Sequence, residues 1–484
     1  MKILLYIIIA LLAVILLLLA AAVIRAIRIK AKPSDKKPAV THTPEEEEKY
    51  AKILSSMVKV PTVSANEGDD LSEFVKLHAV MEESFPLIFK ELEKTEIDGN
   101  LLMRWKGKSS DKEGILLMGH QDVVPAPANA NWTYPPFSGE IADGKVHGRG
   151  AMDCKCTVMA EWQAVEELLE EGFTPERDVY LSCSVNEETG GGGAEKIVDY
   201  LYNNGIRLAA VMDEGGAIVN GLLPGMKSWV AAAGVVEKGT CNIKFTAKGA
   251  GGHSSTPPAD TPIARLSAFV CKVEKKNPFK KAFTKPVEEM FTTLAPHLTF
   301  PLRLLFGNIW LFKPLLLAVM PKFSPMAKAF LTTTCVFTMS GGSEAANVIP
   351  DKAYVIANIR PSIQQNKEEC FEILKNMAAE FDIEAEILYG KSASNITDSH
   401  SEEFEYVKQV VNDVFPQYCF TPYYMTGGTD CRKYEKVSDN CIRFTPIRMT
   451  PEQMAAMHAV NENIGIEAVA EGVKCYKYYI KNHK

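Results

Sequence analysis

The sequence predicts an α/β fold: a main domain with a mixed, largely parallel sheet, a smaller α+β domain inserted into it, and an N-terminal transmembrane helix. Three observations carry that prediction. Residues 3–24 form an unbroken apolar run, long enough to cross a hydrocarbon core as a helix. Between residues 114 and 213, buried-strand patterns alternate with amphipathic helical stretches, the rhythm of βα units feeding a parallel sheet. Near Lys238 that rhythm changes, and helix-rich sequence returns after about Ser392, as an insertion would produce.

Composition agrees with this reading. A chain of 484 residues exceeds one comfortable core, so more than one domain is expected. Hydrophobic residues at 46% and charged residues at 23% are ordinary for a globular protein and exclude disordered and collagen-like classes. The net charge is −7 and no basic stretch is present, which argues against nucleic acid as a partner. Eleven cysteines are scattered without framework spacing. The odd count leaves at least one thiol free or bonded to another chain and leans toward a reducing compartment.

Along the chain, residues 1–29 form the anchor. A cleaved signal would have a shorter apolar core and a polar context after its small residues. Here Val23 and Ile24 prolong the apolar run beyond Ala20, Ala21 and Ala22, which favours a retained single-pass helix. Lys2 precedes the run, whereas Arg25, Arg28, Lys30, Lys32, Lys36 and Lys37 follow it, so charge bias places the body on the cytoplasmic side. Residues 30–43 read as a tether. Thr43 is an N-cap candidate before Pro44 and the acidic turn from Glu45 to Glu48.

The main domain is expected from 44–237 and again from 392–484, with the insert at 238–391. Strands are predicted at 114–120, 179–185 and 209–213, with helices at 157–171 and 194–203. In the insert, strands are predicted at 240–247, 333–339 and 353–359, with helices at 262–273 and 367–381. Residues 291–331 are unusually apolar, but Arg303, Asn308 and Lys313 interrupt them and argue against a second span. Helices packed in the insert's own core or at a dimer interface are the plainer expectation. A lipid-facing surface or an acyl-chain pocket is the sharper one.

The chemistry gathers at predicted strand ends, where open α/β sheets place their ligands. His120 and Asp122 stand two apart in GHQD; the carboxylate could orient the imidazole toward a metal. Alone that pair is a weak signal. Asp153, in GRGAMDCK, could bridge two cations or simply cap a helix. Glu187 and Glu188 lie in NEETGGGG, where adjacent carboxylates could divide metal binding from proton transfer. Asp213 lies in MDEGG, and His458 far along in MHAVNE. Two imidazoles with several carboxylates suit zinc, with manganese or cobalt as alternatives. Cys154 and Cys156 flank the Asp153 loop and read as buried, inert thiols.

The order GHQDVVP, GRGAMDCK, NEETGG, MDEGG and MHAVNE resembles the M20 family of dinuclear zinc peptidases and aminoacylases, from about Pro44 to the C-terminus. The nearest likeness is to its carboxypeptidase S and N-fatty-acyl-amino-acid hydrolase branch, which also has an N-terminal hydrophobic segment and an apolar insertion like residues 294–317. The resemblance implies a zinc-peptidase main domain and an inserted lid and dimerisation domain. It implies two Zn2+ per subunit: His120 and Asp213 on one, Glu188 and His458 on the other, Asp153 bridging. Asp122 would support His120, and Glu187 would be the general base. His253, in GGHSS, resembles a histidine that reaches the partner subunit's site. Asn347, Arg360, Gly428 and Arg432 resemble substrate-contacting positions; Cys431, where serine or alanine is usual, is a mild departure. The implied substrate is a small N-acyl amino acid or a peptide with a free carboxylate, acted on by a membrane-anchored homodimer. Dipeptides and hydrophobic peptides remain the alternative. A silent metal-binding membrane protein is the rival from another class, and the filled set of site positions speaks against it.

Overall fold

A computed structural model describes residues 2–484 except 33, 65, 67, 110, 128, 129, 224, 225 and 227. Position 33 of the expected tether, and position 1 of the expected anchor, thus lie outside the described residues. α1 (Lys2–Arg28) is the apolar helix. α2 (Pro44–Val58) begins as its sequence dictates: the Thr43 hydroxyl accepts from Glu46 N at 3.3 Å, and the Glu46 carboxylate accepts from Thr43 N at 2.9 Å. That reciprocal capping box satisfies two amides left unpaired at a helix start.

The main domain continues through β1 (Glu93–Ile97), β2 (Asn100–Trp105), β3 (Gly114–His120), α3 (Lys155–Glu170), β4 (Val179–Ser184), α4 (Gly193–Asn203), β5 (Leu208–Asp213), β6 (Ile218–Asn220) and β7 (Trp229–Glu237). The insertion holds β8 (Thr240–Lys248), α5 (Pro262–Lys276), α6 (Lys285–Leu294), α7 (Phe300–Phe306), α8 (Ile309–Phe323), α9 (Pro325–Leu331), β9 (Thr334–Gly341), β10 (Lys352–Arg360), α10 (Lys367–Ala379) and β11 (Ile383–Lys391). The chain then returns with β12 (Cys419–Met425), β13 (Cys441–Arg443), β14 (Arg448–Met449) and α11 (Ile466–Asn482).

The large sheet runs β1-β2-β4-β3-β5-β13-β7-β6-β14, with β12 also on β7. Its central strands β4, β3, β5 and β13 are parallel. β1 and β2 join antiparallel, and β7 is antiparallel to β13 and β6. The sheet is therefore mixed with a parallel centre, less parallel than the sequence rhythm suggests. The short β1–β2 and β6–β7 connections explain the difference, since such links join only antiparallel neighbours. β3 and β4 are buried along their whole length, which is why they read as continuous apolar runs. α3 lies between the sheet and helices α2 and α11, and its Trp162 is fully buried between the Phe85 and Phe89 rings.

The insertion holds two structures of different character. β9-β10-β8-β11 form an antiparallel sheet covered by α5 and α10, with its own core around Phe245, Phe269 and Leu374. Helices α6–α9 do not join that core. Val287, Met290, Phe291, Leu294, Phe306 and Phe330 belong to the core of the main domain, and α6 lies on β12. This corrects the expectation that the apolar segment packs inside the insert. Positions 287, 290, 291 and 294 make one helical stripe, and the small sheet's covered face is already taken by α5 and α10. α7 and α8 meet at 105°, so they do not form a straight second span.

Lys238 sits where the chain leaves the main domain, 1% exposed, with Nζ donating to the Ala329 carbonyl at 3.0 Å and the Thr332 carbonyl at 2.8 Å. Burial, with Arg360 nearby, lowers its pKa from 10.5 to about 7. The unfolded chain then holds more protons than the folded one between those values, so stability rises with pH across that window. Lys238→Met should flatten this rise. Between pH 7 and 9 the wild type should gain about 2 kcal/mol relative to the variant, read from denaturant midpoints at each pH.

Candidate metal centre

His120, Asp153, Glu188 and His458 reach the site from a strand end or from loops that a second contact pins. His120 ends β3 and is 2% exposed. Its Nδ1 lies 2.9 Å from the Asp122 carbonyl oxygen and 3.4 Å from Asp122 Oδ1. That contact fixes the ring with Nε2 turned to Asp153 Oδ1 at 3.1 Å. On the other side of the same carboxylate, His458 Nε2 is 2.9 Å from Asp153 Oδ2 and 3.1 Å from Glu188 Oε2. Burial opposes ionisation of Asp153, yet bonds to both imidazoles hold it below the usual carboxylate range. His458, bonded to Asp153 and Glu188, is raised to about 10.

Asp122 has a wider task than the sequence suggests. Its carboxylate is fully buried and accepts from Glu187 N at 3.2 Å, Glu188 N at 3.1 Å and the Ser64 hydroxyl. It therefore ties the His120 strand end to the loop carrying Glu187 and Glu188. Burial and the charges of Asp430, Asp153 and Asp122 push the Glu187 carboxyl pKa up.

His458 comes from 305 residues downstream, and Glu462 explains how it arrives. Glu462 is 1% exposed and accepts from Met152 N at 3.0 Å, Asp153 N at 3.1 Å and Arg149 Nη1 at 2.5 Å. Arg149 also donates to the Ala459 carbonyl at 3.0 Å. The segment 458–462 is thus stitched to the loop that carries Asp153. Sequence reasoning passed over Glu462 although it lies in the quoted MHAVNE. It also passed over Glu214, the second acid of MDEGG. Burial and the charges of Asp153, Asp213 and Glu187 raise the Glu214 pKa, and its backbone amide donates to Asp213 at 2.8 Å.

Two donor groups share Asp153: His120, Asp153 and Cys154, and Asp153, Glu188 and His458, each with donor atoms within 4.8 Å of one another. A carboxylate common to two such groups, with an imidazole on each side, fits a pair of divalent ions. Cys154 Sγ is engaged by the His120 backbone amide at 3.1 Å, and burial raises its pKa well above the usual thiol value. Asp213 belongs to neither group. Its oxygens accept from Glu214 N and Cys431 N, both at 2.8 Å, and burial with Asp430 nearby raises its pKa to about 7.

The other predicted residues lie apart from this cluster. His253 is exposed on the small domain, its Nδ1 2.8 Å from Ser255 Oγ, and pairs in register with Val348. Asn347, also exposed, is its neighbour: the Asn347 carbonyl accepts from Ser254 N at 3.1 Å. Arg360 ends β10 half-buried, its pKa lowered by burial, and has no carboxylate partner among the described residues. Arg432 donates to the Ser392 carbonyl at 2.6 Å and lies 4.0 Å from Glu237. A side chain at Gly428 would come within 3.3 Å of that same Glu237 carboxylate.

A parallel-centred sheet carrying a shared carboxylate between two imidazoles, with two glutamates beside it, defines a metal-dependent hydrolase. Residues 116–482 match the model of peptidase family M20/M25/M40, and the chain belongs to that family. It is 33% identical to the N-fatty-acyl-amino acid synthase/hydrolase PM20D1 of Homo sapiens, over 90% of this chain and 88% of that one. It is 32% identical to a probable carboxypeptidase S-like protein of Dictyostelium discoideum (89% and 84%) and 27% identical to carboxypeptidase S of Saccharomyces cerevisiae (92% and 85%). Among solved structures, an M20 family metallo-carboxypeptidase from Sulfolobus solfataricus superposes with a TM-score of 0.65 at 21% identity, covering 89% of this chain and 98% of that one. Human carnosine dipeptidase 1 superposes at 0.64 and 15%, covering 90% and 96%. The chain is thus a hydrolase of amide or peptide bonds, and its family implies use of a divalent metal.

Asp122→Ala should leave the Glu187 and Glu188 amides without their acceptor. We expect a stability loss of about 3 kcal/mol and a drop of roughly 10–100-fold in metal affinity, measured by denaturant unfolding and by competition with a chelator.

Proposed function

We propose that the protein hydrolyses the amide bond of N-acyl amino acids with long acyl chains, with Glu187 as the proton-transferring base. The observation that carries this reading is the half-buried Glu187 carboxyl on a loop that Asp122 locks beside His120, Asp153, Glu188 and His458. In this reading His120 and Asp213 would hold one zinc, Glu188 and His458 would hold a second, and Asp153 would serve both; Asp213 would have to turn from its backbone partners Glu214 N and Cys431 N to do so. When bound, zinc supplies Lewis acidity toward water and the amide carbonyl.

The chain's own residues carry the rest. Glu187 takes a proton from the attacking water and later gives it to the leaving nitrogen, so one group serves both halves of the reaction. Asp122 holds the Glu187 backbone and the His120 ring in register with each other. Arg360, desolvated and without a carboxylate partner among the described residues, is suited to a substrate carboxylate. Arg432 is the second candidate, with part of its charge already answered by Glu237. Asn347 and His253 sit together on the small domain, and His253 would polarise the scissile carbonyl from a partner subunit. Homodimerisation would use the exposed edges of the small sheet, where Val336, Met339 and Leu388 are apolar. α1 is a retained single-pass anchor in this reading, and the basic residues after it favour a cytoplasmic body.

The N-fatty-acyl relatives favour an acyl amino acid; the carboxypeptidase S relatives favour a hydrophobic peptide with a free C-terminus as the second reading. Glu187→Gln should retain its metal, measured by elemental analysis, and lose kcat by roughly 10²–10⁴-fold. Near-normal turnover in that variant would remove the assignment of the base. Arg360→Met should raise KM for a carboxylate substrate by about tenfold or more with a smaller change in kcat. An unchanged KM would hand the carboxylate to Arg432.

A further inference from the structure

α8 turns an apolar stripe outward. Leu315 is 52% exposed, Val319 37% and Phe323 82%, four residues apart along one helix face. Trp310 at the start of α8 is 54% exposed, and Met326 on α9 extends the patch. Beside the stripe, and sharing its Val319 and Phe323, α7, α8 and α9 line a groove of about 280 Å³ with Phe291 of α6 and Leu222 and Leu223, apolar apart from Ser324. The inner faces of these helices already pack on the main domain, so the outer stripe is surplus to the core.

The position of α1 says what covers it. α1 packs on α7, and Ala22 and Ala26, both fully buried, mark the contact. Asn308 Nδ2 donates to the Ala22 carbonyl at 3.1 Å, and Ala31 N donates to the Pro296 carbonyl at 3.0 Å. A helix needs about 20 residues to cross a hydrocarbon core. The run at 3–24 uses that length, so Ala22 and Ala26 mark the level at which α1 leaves the hydrocarbon. α8 begins at Ile309, directly after the Asn308 that holds Ala22, so its first turn, with Trp310, starts at that level. Trp310 suits the headgroup boundary, and Arg28 and Lys30, exposed where α1 ends, suit anionic headgroups.

We propose that α7–α9 form a second membrane contact that lies in the bilayer interface beside α1, with the stripe and groove of α8 against lipid acyl chains. This rests on α1 being a retained anchor. It would hold the body flat on the membrane, where a long-chain amphiphilic substrate partitions, instead of letting it swing on the tether.

The test uses the full chain reconstituted into phosphatidylcholine vesicles with brominated acyl chains, comparing wild type with Trp310→Phe after flotation. α1 contains no tryptophan, and Trp105, Trp132, Trp162 and Trp229 are not exposed. Wild type should show a bromine-quenched component of emission that Trp310→Phe lacks. Floated protein with equal quenching in both would mean that α1 holds the membrane while α8 stays out of it, and would overturn the proposal. A chain that does not float removes the anchor and the proposal together. An unquenched Trp310 in a protein that is dimeric in detergent would assign the stripe to a second copy instead. Amide hydrolysis measured on the same samples should be equal in the two proteins, so a failure of the membrane contact remains separable from a failure of the hydrolase reading.

Discussion

A single carboxylate shared between two imidazoles is the constraint on which the rest of the site depends. Asp153 faces His120 with one oxygen and His458 with the other, at 3.1 and 2.9 Å. Its buried charge is tolerable only with partners on both sides. The fold supplies those partners from opposite ends of the chain. β3 delivers His120 directly, and the Arg149–Glu462 pair draws the C-terminal segment back to the loop before α3. The second brace, Asp122, couples His120 to the loop of Glu187 and Glu188. The proposed ligand positions and the proposed base are thus fixed to one another by backbone amides, the kind of preorganisation that hydrolysis of a stable amide demands.

The chemistry was legible because it sits in short motifs at strand ends. Two of the five motifs, NEETGG and MDEGG, set acids between an apolar strand and glycines, and it is the order of all five together, not any one alone, that points to the class. The braces were not legible for a physical reason. Glu462 acts on residues about 310 positions away, and nothing in local spacing announces that contact. The spacing of GHQD puts Asp122 near His120, and the two lie 3.4 Å apart, but the grip of Asp122 on the Glu187 and Glu188 amides depends on how β3 and β4 align. Glu214 was visible as the second acid of MDEGG, next to Asp213, but local spacing assigns it no role.

The apolar segment teaches a similar lesson about packing. The stripe at 287, 290, 291 and 294 announces that α6 buries a face, not what it buries that face against. Sequence order placed it in the insertion; competition for the small sheet's covered face sent it to β12 and the main core. The same displacement brought α7 under α1 and left α8 with an outward apolar stripe. The N-terminal helix α1 and the displaced helix α7 therefore meet in one region of the molecule.

The central claim is that water, with Glu187 as base, cleaves the amide of a long-chain N-acyl amino acid. Its most direct measurement is isotope placement. The full chain loaded with zinc is incubated in H2(18)O with a long-chain N-acyl amino acid, its acetyl counterpart and a dipeptide in one mixture, and the products are read by mass spectrometry. The account predicts one labelled oxygen in the released fatty acid, an unlabelled free amino acid, and faster release from the long-chain substrate than from the acetyl one. Cleavage of the dipeptide alone, with the acyl amino acids intact, would contradict it and assign the protein to the peptidases.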